Sequence, residues 1–230
     1  MSLTASPTKN PRKKPYAFAP RDDNIMKKIV FKTIEPKILY FGTPVALITT
    51  IDEDGNANIG PMSSVWALGW TLLLGIGCDS KTYDNLTKQK ECVVNFPSAS
   101  AFQNVERIAN LTGLNPVPAE KGATYRYEAD KFKAGGFTAM LSQKVKPPRI
   151  GECKLQFEAV VKNIMHVNGG TEQNPDVVAI EVKVIMVHAD EELIVGERHI
   201  DPKKWDPLIY NFRHYYGLGK ELGKTFKAEV

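Results

Sequence analysis

The sequence predicts a mainly β protein, an antiparallel sheet with short peripheral helices. Three observations carry that prediction. Apolar residues alternate with period two over 45–51, 154–167 and 178–188, an Asp-Gly turn follows the first of these runs, and helical spacing is confined to two brief stretches. Many strands at short spacing favour an antiparallel sheet, and closing it into a barrel is one way to remove exposed edges.

Taken in order, Val45, Leu47, Thr49 and Ile51 lie on one face of an extended segment and Ala46, Ile48 and Thr50 on the other, so both faces read as partly buried. Glu53-Asp54-Gly55-Asn56 turns the chain, and 57–65 runs back as a second strand. The Asp52, Asp54, Asn56 spacing suggests a calcium loop, but Ala57 stands where such a loop needs Gly and Ser63 where it needs Glu. The apolar run 65–78, broken by Gly69, Thr71, Gly75 and Gly77, is shorter than the ~18 residues of a membrane span and reads as two buried strands around a turn at Gly69. Ser80 or Thr82 caps a short helix to about Gln89, and 91–96 is a fourth strand. Phe102, Val105, Ile108 and Leu111 give helical spacing over 99–111, whereas 112–129, with Pro116 and Pro118, reads as irregular connection. The last clear structure is a long hairpin, 154–167 and 178–188, joined by a polar loop at 168–176.

With 230 residues, 43% hydrophobic and 24% charged, the chain has the composition of one globular domain. The net charge of +4 equals the contribution of Lys9, Arg12, Lys13 and Lys14, so residues 15–230 balance to zero. The basic excess therefore belongs to a Pro-containing tail, residues 1–24, ahead of a single domain over 25–230. That distribution weighs against nucleic-acid binding, which needs cations concentrated on a folded face. The tail lacks the apolar middle of a secretory signal. Cys78, Cys92 and Cys153 are odd in number and without a CxxC pair, so a reducing cytoplasm is the expected setting, with no membrane partner.

Several chemistries lack their motifs. His166, His188, His199 and His214 are scattered, with no metal-binding spacing, and no nucleophile elbow is present. The ending Gly217-Leu218-Gly219-Lys220-Glu221-Leu222-Gly223 is one residue too long for GxGxxG and lacks a preceding strand. What stands out is a polar cluster on apolar strands, Asn58, Ser63 and Ser64, together with Lys81, Thr82 and Asn85 at a helix start. Free backbone N–H groups there, with hydroxyls and one Lys around them, form an anion seat suited to a phosphate. The structural reading of the same residues is a cap at Ser80 or Thr82 with Asn85 facing solvent.

Four words in fixed order then carry a family resemblance: residues 43–50 (TPVALITT), 52–64 (DEDGNANIGPMSS), 81–85 (KTYDN) and 91–97 (ECVVNFP). In this order and spacing the chain resembles the flavin reductase-like family, the flavoredoxin or FMN-binding split-barrel group, with looser support from Asp130-Lys131-Phe132, Gly136-Phe137-Thr138 and the Tyr-Gly-Leu-Gly ending. The resemblance implies a closed antiparallel split barrel, a homodimer, and non-covalent FMN at the subunit interface. Carried over by residue, Pro61, Met62, Ser63 and Ser64 would line the flavin, with Asn58 beside them and Cys78 at a strand end. Lys81, Thr82 and Asn85 would hold the phosphate. NADH or NADPH would give hydride to the flavin and an electron acceptor, a redox protein or small molecule, would take it onward. Alternatives are an FMN-binding electron carrier without a nicotinamide pocket and a ligand-free interaction module. Lys131 and His188 are further candidates for contacts near flavin or nicotinamide, against core or surface roles. Several relatives carry an aromatic where Ser64 stands, and the Pro-containing insert before Asp130 reshapes the substrate side.

Overall fold

A computed structural model describes residues 29–167 and 176–228. The basic tail 1–24 and most of the loop 168–176 lie outside the described residues. The chain divides into two units, Met1–Lys37 and Ile38–Val230. The described part of the first, 29–37, carries no helix or strand.

The second unit is built on strands β1 (Phe41–Pro44), β2 (Ala46–Ile51), β3 (Ala57–Met62), β4 (Val65–Leu68), β5 (Thr71–Gly77) and β6 (Glu91–Phe96). The long pair β7 (Leu155–Val167) and β8 (Val177–Ala189) follows, then β9 (Ile209–Asn211) and β10 (His214–Tyr216). Helices α1 (Lys81–Gln89), α2 (Phe102–Ala109) and α3 (Lys131–Gly135) are short, as the spacing predicts. Seven strands form one sheet in the order β3-β2-β6-β7-β8-β5-β4, and every pairing in it is antiparallel.

The first hairpin forms as expected, with Ala46 opposite Met62 and Ile51 opposite Ala57. The Asp52 carboxylate accepts the N–H groups of Asp54 and Asn56, so these residues build the turn that a calcium-loop reading would have assigned to a metal. The returning strand, however, stops at Met62 rather than Val65. Val65 begins β4, which pairs with β5 at the opposite edge of the sheet. The expected buried character of 65–78 holds for β5 but not for β4: Val65 is buried, while Trp66, Leu68 and Trp70 are more than half exposed. An edge strand has one unpaired side, and here the outward residues are large and apolar.

Among the described residues no ladder joins β3 to β4, so the expected barrel is not closed by hydrogen bonds. Those two edge strands are nevertheless consecutive in the chain. Only Ser63 and Ser64 separate them, and three Cα steps span at most about 11 Å, so connectivity curls the sheet until its edges approach. Ala46, Ile48, Leu74, Val94, Ile180 and Val182 fill the inside of this curl. Leu47 and Ile59 point the other way and pack under α2 and α3 with Val105, Ile108 and Phe137. β2 is therefore buried on both faces, as its two apolar registers require.

Among the described residues no helix is long and apolar enough to cross a membrane. Cys78, Cys92 and Cys153 are free thiols. Burial pushes Cys92 up to about 12 and Cys153 higher, which keeps both as unreactive core groups.

Candidate functional site

The site starts where β5 hands over to α1. Ser80 has extended backbone and caps the helix: its Oγ accepts from Tyr83 N at 3.1 Å and donates to Gly77 O at 2.9 Å. The N–H groups of Lys81 and Thr82 are left without intrahelical acceptors, at the positive end of the helix dipole.

Beside this terminus is a cleft of about 190 Å3. Gly60, Pro61 and Met62 of β3 form one wall, the end of β5 and the start of α1 another, and Thr112, Gly113, Lys121, Tyr125 and Lys131 complete it. Two glycines make the approach of these walls possible. A Cβ on Gly60 would collide with Thr82 Oγ1, and one on Gly113 would lie 2.8 Å from Asn58 Oδ1 and 3.0 Å from Lys81 Cγ.

Three lysines converge on the cleft. Lys81 Nζ pairs with Asp52 Oδ2 at 3.3 Å. Burial works to raise the Asp52 pKa, but hydrogen bonds from Asn56 and Lys81 outweigh it and hold the carboxyl below its ordinary value. Lys121 Nζ donates to Asp79 O at 2.8 Å, lies 3.7 Å from Asp79 Oδ2 and sits 5.3 Å over the Tyr125 ring. Lys131 is only 4% exposed and donates to Ile59 O at 3.0 Å. Burial, with a smaller contribution from the Lys121 charge, lowers its pKa to about 8. Positive potential, free N–H groups and close-packed glycine backbone together suit a phosphate.

The structure brings Pro61, Met62, Lys81 and Thr82 to the cleft wall. Asn58 stands behind it, donating to Thr82 Oγ1 at 3.1 Å, while its own Oδ1 is buried without a partner. Ser63 and Ser64 occupy the step between the sheet edges, where Ser64 O accepts from Gly75 N at 2.7 Å. Cys78 packs on the core beside Tyr83 rather than on the cleft. Asn85 neither lines the cleft nor faces solvent; it is buried and donates to Thr50 Oγ1 at 3.0 Å, tying α1 to β2. His188 lies elsewhere, 2.7 Å from Glu158 Oε1. Thr112, Gly113, Lys121 and Tyr125 carry no sequence signal because 112–129 has no periodicity, and Lys131 reads as a contact, a core or a surface residue. A lysine inside the apolar surroundings of Phe132 and Phe137 was the available signal.

The model of the family described as "Flavin reductase like domain" matches residues 38–219, which include every element of the sheet and the cleft. The chain belongs to the flavin reductase-like family. A curated relative, the uncharacterized protein YdfE of Bacillus subtilis (strain 168), is 47% identical over 201 residues, covering 87% of this chain and 95% of its own. Among solved structures, flavoredoxin of Desulfovibrio vulgaris (Miyazaki F) superposes with a TM-score of 0.69 at 21% identity, covering 86% of this chain and 99% of its own. Nitrilotriacetate monooxygenase component B from Bacillus cereus gives the same score at 18% identity, covering 86% and 100%. Those two likenesses establish a shared fold. Family membership assigns this flavin reductase-like protein to the flavin-linked oxidoreductases.

Proposed function

We propose that the protein is an FMN-binding oxidoreductase that takes hydride from NADH or NADPH and passes electrons to a separate acceptor. The observation that carries this reading is the convergence of Lys81, Lys121 and Lys131 with the open N-terminus of α1 on one glycine-walled cleft. The residues present fit a flavin nucleotide: a dianionic phosphate meets the Lys131 ammonium, two lysines paired with Asp52 and Asp79, and the N–H groups that open α1, between walls that Gly60 and Gly113 let approach closely. Bound FMN would supply the two-electron chemistry itself. Lys81, Thr82 and the α1 terminus would hold the phosphate. Pro61, Met62, Ser63 and Ser64 would run along the ring system and limit its access to water, with Asn58 fixing Thr82 from behind and Asn85 fixing α1. Cys78 would contribute packing at the strand end. No side-chain acid or base is required of the protein for hydride transfer, so its work is orientation.

The test is the visible spectrum of the protein after FMN addition and desalting, followed anaerobically by NADH and then NADPH. Retained yellow colour that bleaches with a nucleotide is the expected outcome. Retained colour that neither nucleotide bleaches would overturn the reductase reading in favour of an electron carrier. Loss of all flavin on desalting would overturn a resident cofactor in favour of weak, substrate-like flavin binding or the ligand-free interaction module.

We also propose a homodimer working in the reducing cytoplasm. The exposed Trp66, Leu68 and Trp70 at the β4 edge, with Ile185 and Val187 on β8, support a self-association face, and the unpaired core thiols suit the compartment. Replacing Trp66 and Leu68 together by Glu is expected to convert a dimer into a folded monomer in light scattering. A wild-type monomer at micromolar concentration would overturn the proposal.

A further inference from the structure

We infer that Lys131 is the unmatched cation of the cleft, and that entry of a phosphoryl group is coupled to proton uptake from solvent at its Nζ, rising toward one proton as the amine of the empty site loses its own. The inference rests on the anion-seat part of the FMN reading and on no redox step.

The three lysines are not equivalent. Lys81 and Lys121 each have a carboxylate within 4 Å, Asp52 and Asp79, so their charges are compensated before any ligand arrives. Among the described residues Lys131 has only the Ile59 carbonyl, which engages one of its three possible donors. It is also the most buried of the three, and a buried ammonium without a counter-ion is costly. The surrounding groups offer no compensation. β3 presents no titratable side chain at all. From the 119–125 segment come Lys121, another cation, and Tyr125, whose ring lies under Lys121 Nζ, and from α1 comes Lys81. On α2, Glu106 accepts from Tyr215 Oη at 3.1 Å and Arg107 lies against Gly136, and neither lines the cleft. On its own helix, Asp130 caps α3 through Lys133 N at 3.0 Å, and Lys133 is not part of the cleft. The ligand is therefore the missing counter-ion.

The consequence is a binding affinity that depends on pH. Without ligand the amine releases its proton near pH 8, as its burial dictates, and a phosphate dianion in the cleft restores the ammonium form. Above that pH, occupying the site requires first protonating Lys131. For a phosphomonoester, which is a dianion from pH 7 upward, affinity is then flat between pH 7 and 8 and falls above it.

The experiment measures FMN affinity by quenching of flavin fluorescence from pH 7 to 9, with inorganic phosphate as a competing probe, and counts protons calorimetrically in two buffers of different ionisation heat. For wild type the FMN Kd is expected to weaken about tenfold between pH 7 and 9 and about half a proton to be taken up at pH 8. Lys131→Arg, permanently charged, is expected to abolish the pH dependence while still binding. Lys131→Met is expected to abolish it and to bind more weakly at pH 7, with circular dichroism confirming that each variant is folded. A flat wild-type profile, or a slope that survives in either variant, would overturn the inference. Binding of inorganic phosphate with the expected slope but no FMN binding would support it while removing the flavin reading. Absence of binding by both probes at every pH would overturn both.

Discussion

Gly60→Ala is expected to abolish retention of FMN through desalting and to destabilise the protein by about 2 kcal/mol. The reason is geometric. The added Cβ would collide with Thr82 Oγ1 and come within 3.2 Å of Thr82 Cβ. Thr82 is buried, is held by Asn58 Nδ2, and belongs to the first turn of α1, so it cannot retreat without moving the helix terminus that forms the seat. Two anchors oppose that movement, Ser80 capping against Gly77 and Asn85, one turn on, donating to Thr50. The check is a double-mutant cycle. Thr82→Ala removes the colliding oxygen, so Gly60→Ala in that background should cost less than half as much stability. Equal losses in the two backgrounds, read as urea midpoints, would show that the glycine is needed for some other reason than this contact.

How far the sequence revealed this site differs by region, for physical reasons. The hairpin 46–62, α1 and the pair β7 and β8 were legible because each buries a face with the period of its own element, and the Asp-Gly turn fixes the first register. Lys81 and Thr82 were legible as an anion seat at a helix start, and Pro61 and Met62 followed from a family resemblance confined largely to those same segments. Two failures were equally physical. The step from β3 to β4 has the same apolar character on both sides of Ser63-Ser64, so nothing local tells the chain to leave one sheet edge for the other; partner choice decides it. The cleft's far wall comes from 112–131, where short 3-10 turns and two-residue strands follow no period. Asn85 shows the limit of motif transfer: a polar side chain beside an anion seat can be there to tie its helix to a strand.

The second large effect is expected at Glu158, well away from the cleft. Its side chain is fully buried on β7. Its oxygens accept from Gln143 N at 2.8 Å, Lys144 N at 2.6 Å and Val145 N at 3.2 Å, and His188 Nε2 lies 2.7 Å away. One carboxylate thus satisfies three consecutive backbone donors of a loop that has no strand to pair with, and it does so at the position where the β7/β8 register shifts. Glu158→Ala would leave the buried Val145 N–H and the part-buried Gln143 and Lys144 N–H groups without their acceptor and empty the side chain's fully buried site, and is expected to cost about 3 kcal/mol. Glu158→Gln keeps one acceptor and should cost less. Acid titration separates the charge from the shape. Burial works to raise the Glu158 pKa, but the hydrogen bonds from Gln143, Lys144 and His188 outweigh it, so the folded value lies below the ordinary 4.5. A depressed carboxyl pKa stabilises the fold at pH above the unfolded value, and that stabilisation is lost as pH falls through the folded value. Urea midpoints of the wild type should therefore fall below pH 4.5 more steeply than those of Glu158→Gln. Parallel midpoints across pH 3–7 would mean that Glu158 contributes as a neutral acceptor, and that the loop is held by hydrogen-bond geometry without help from the charge.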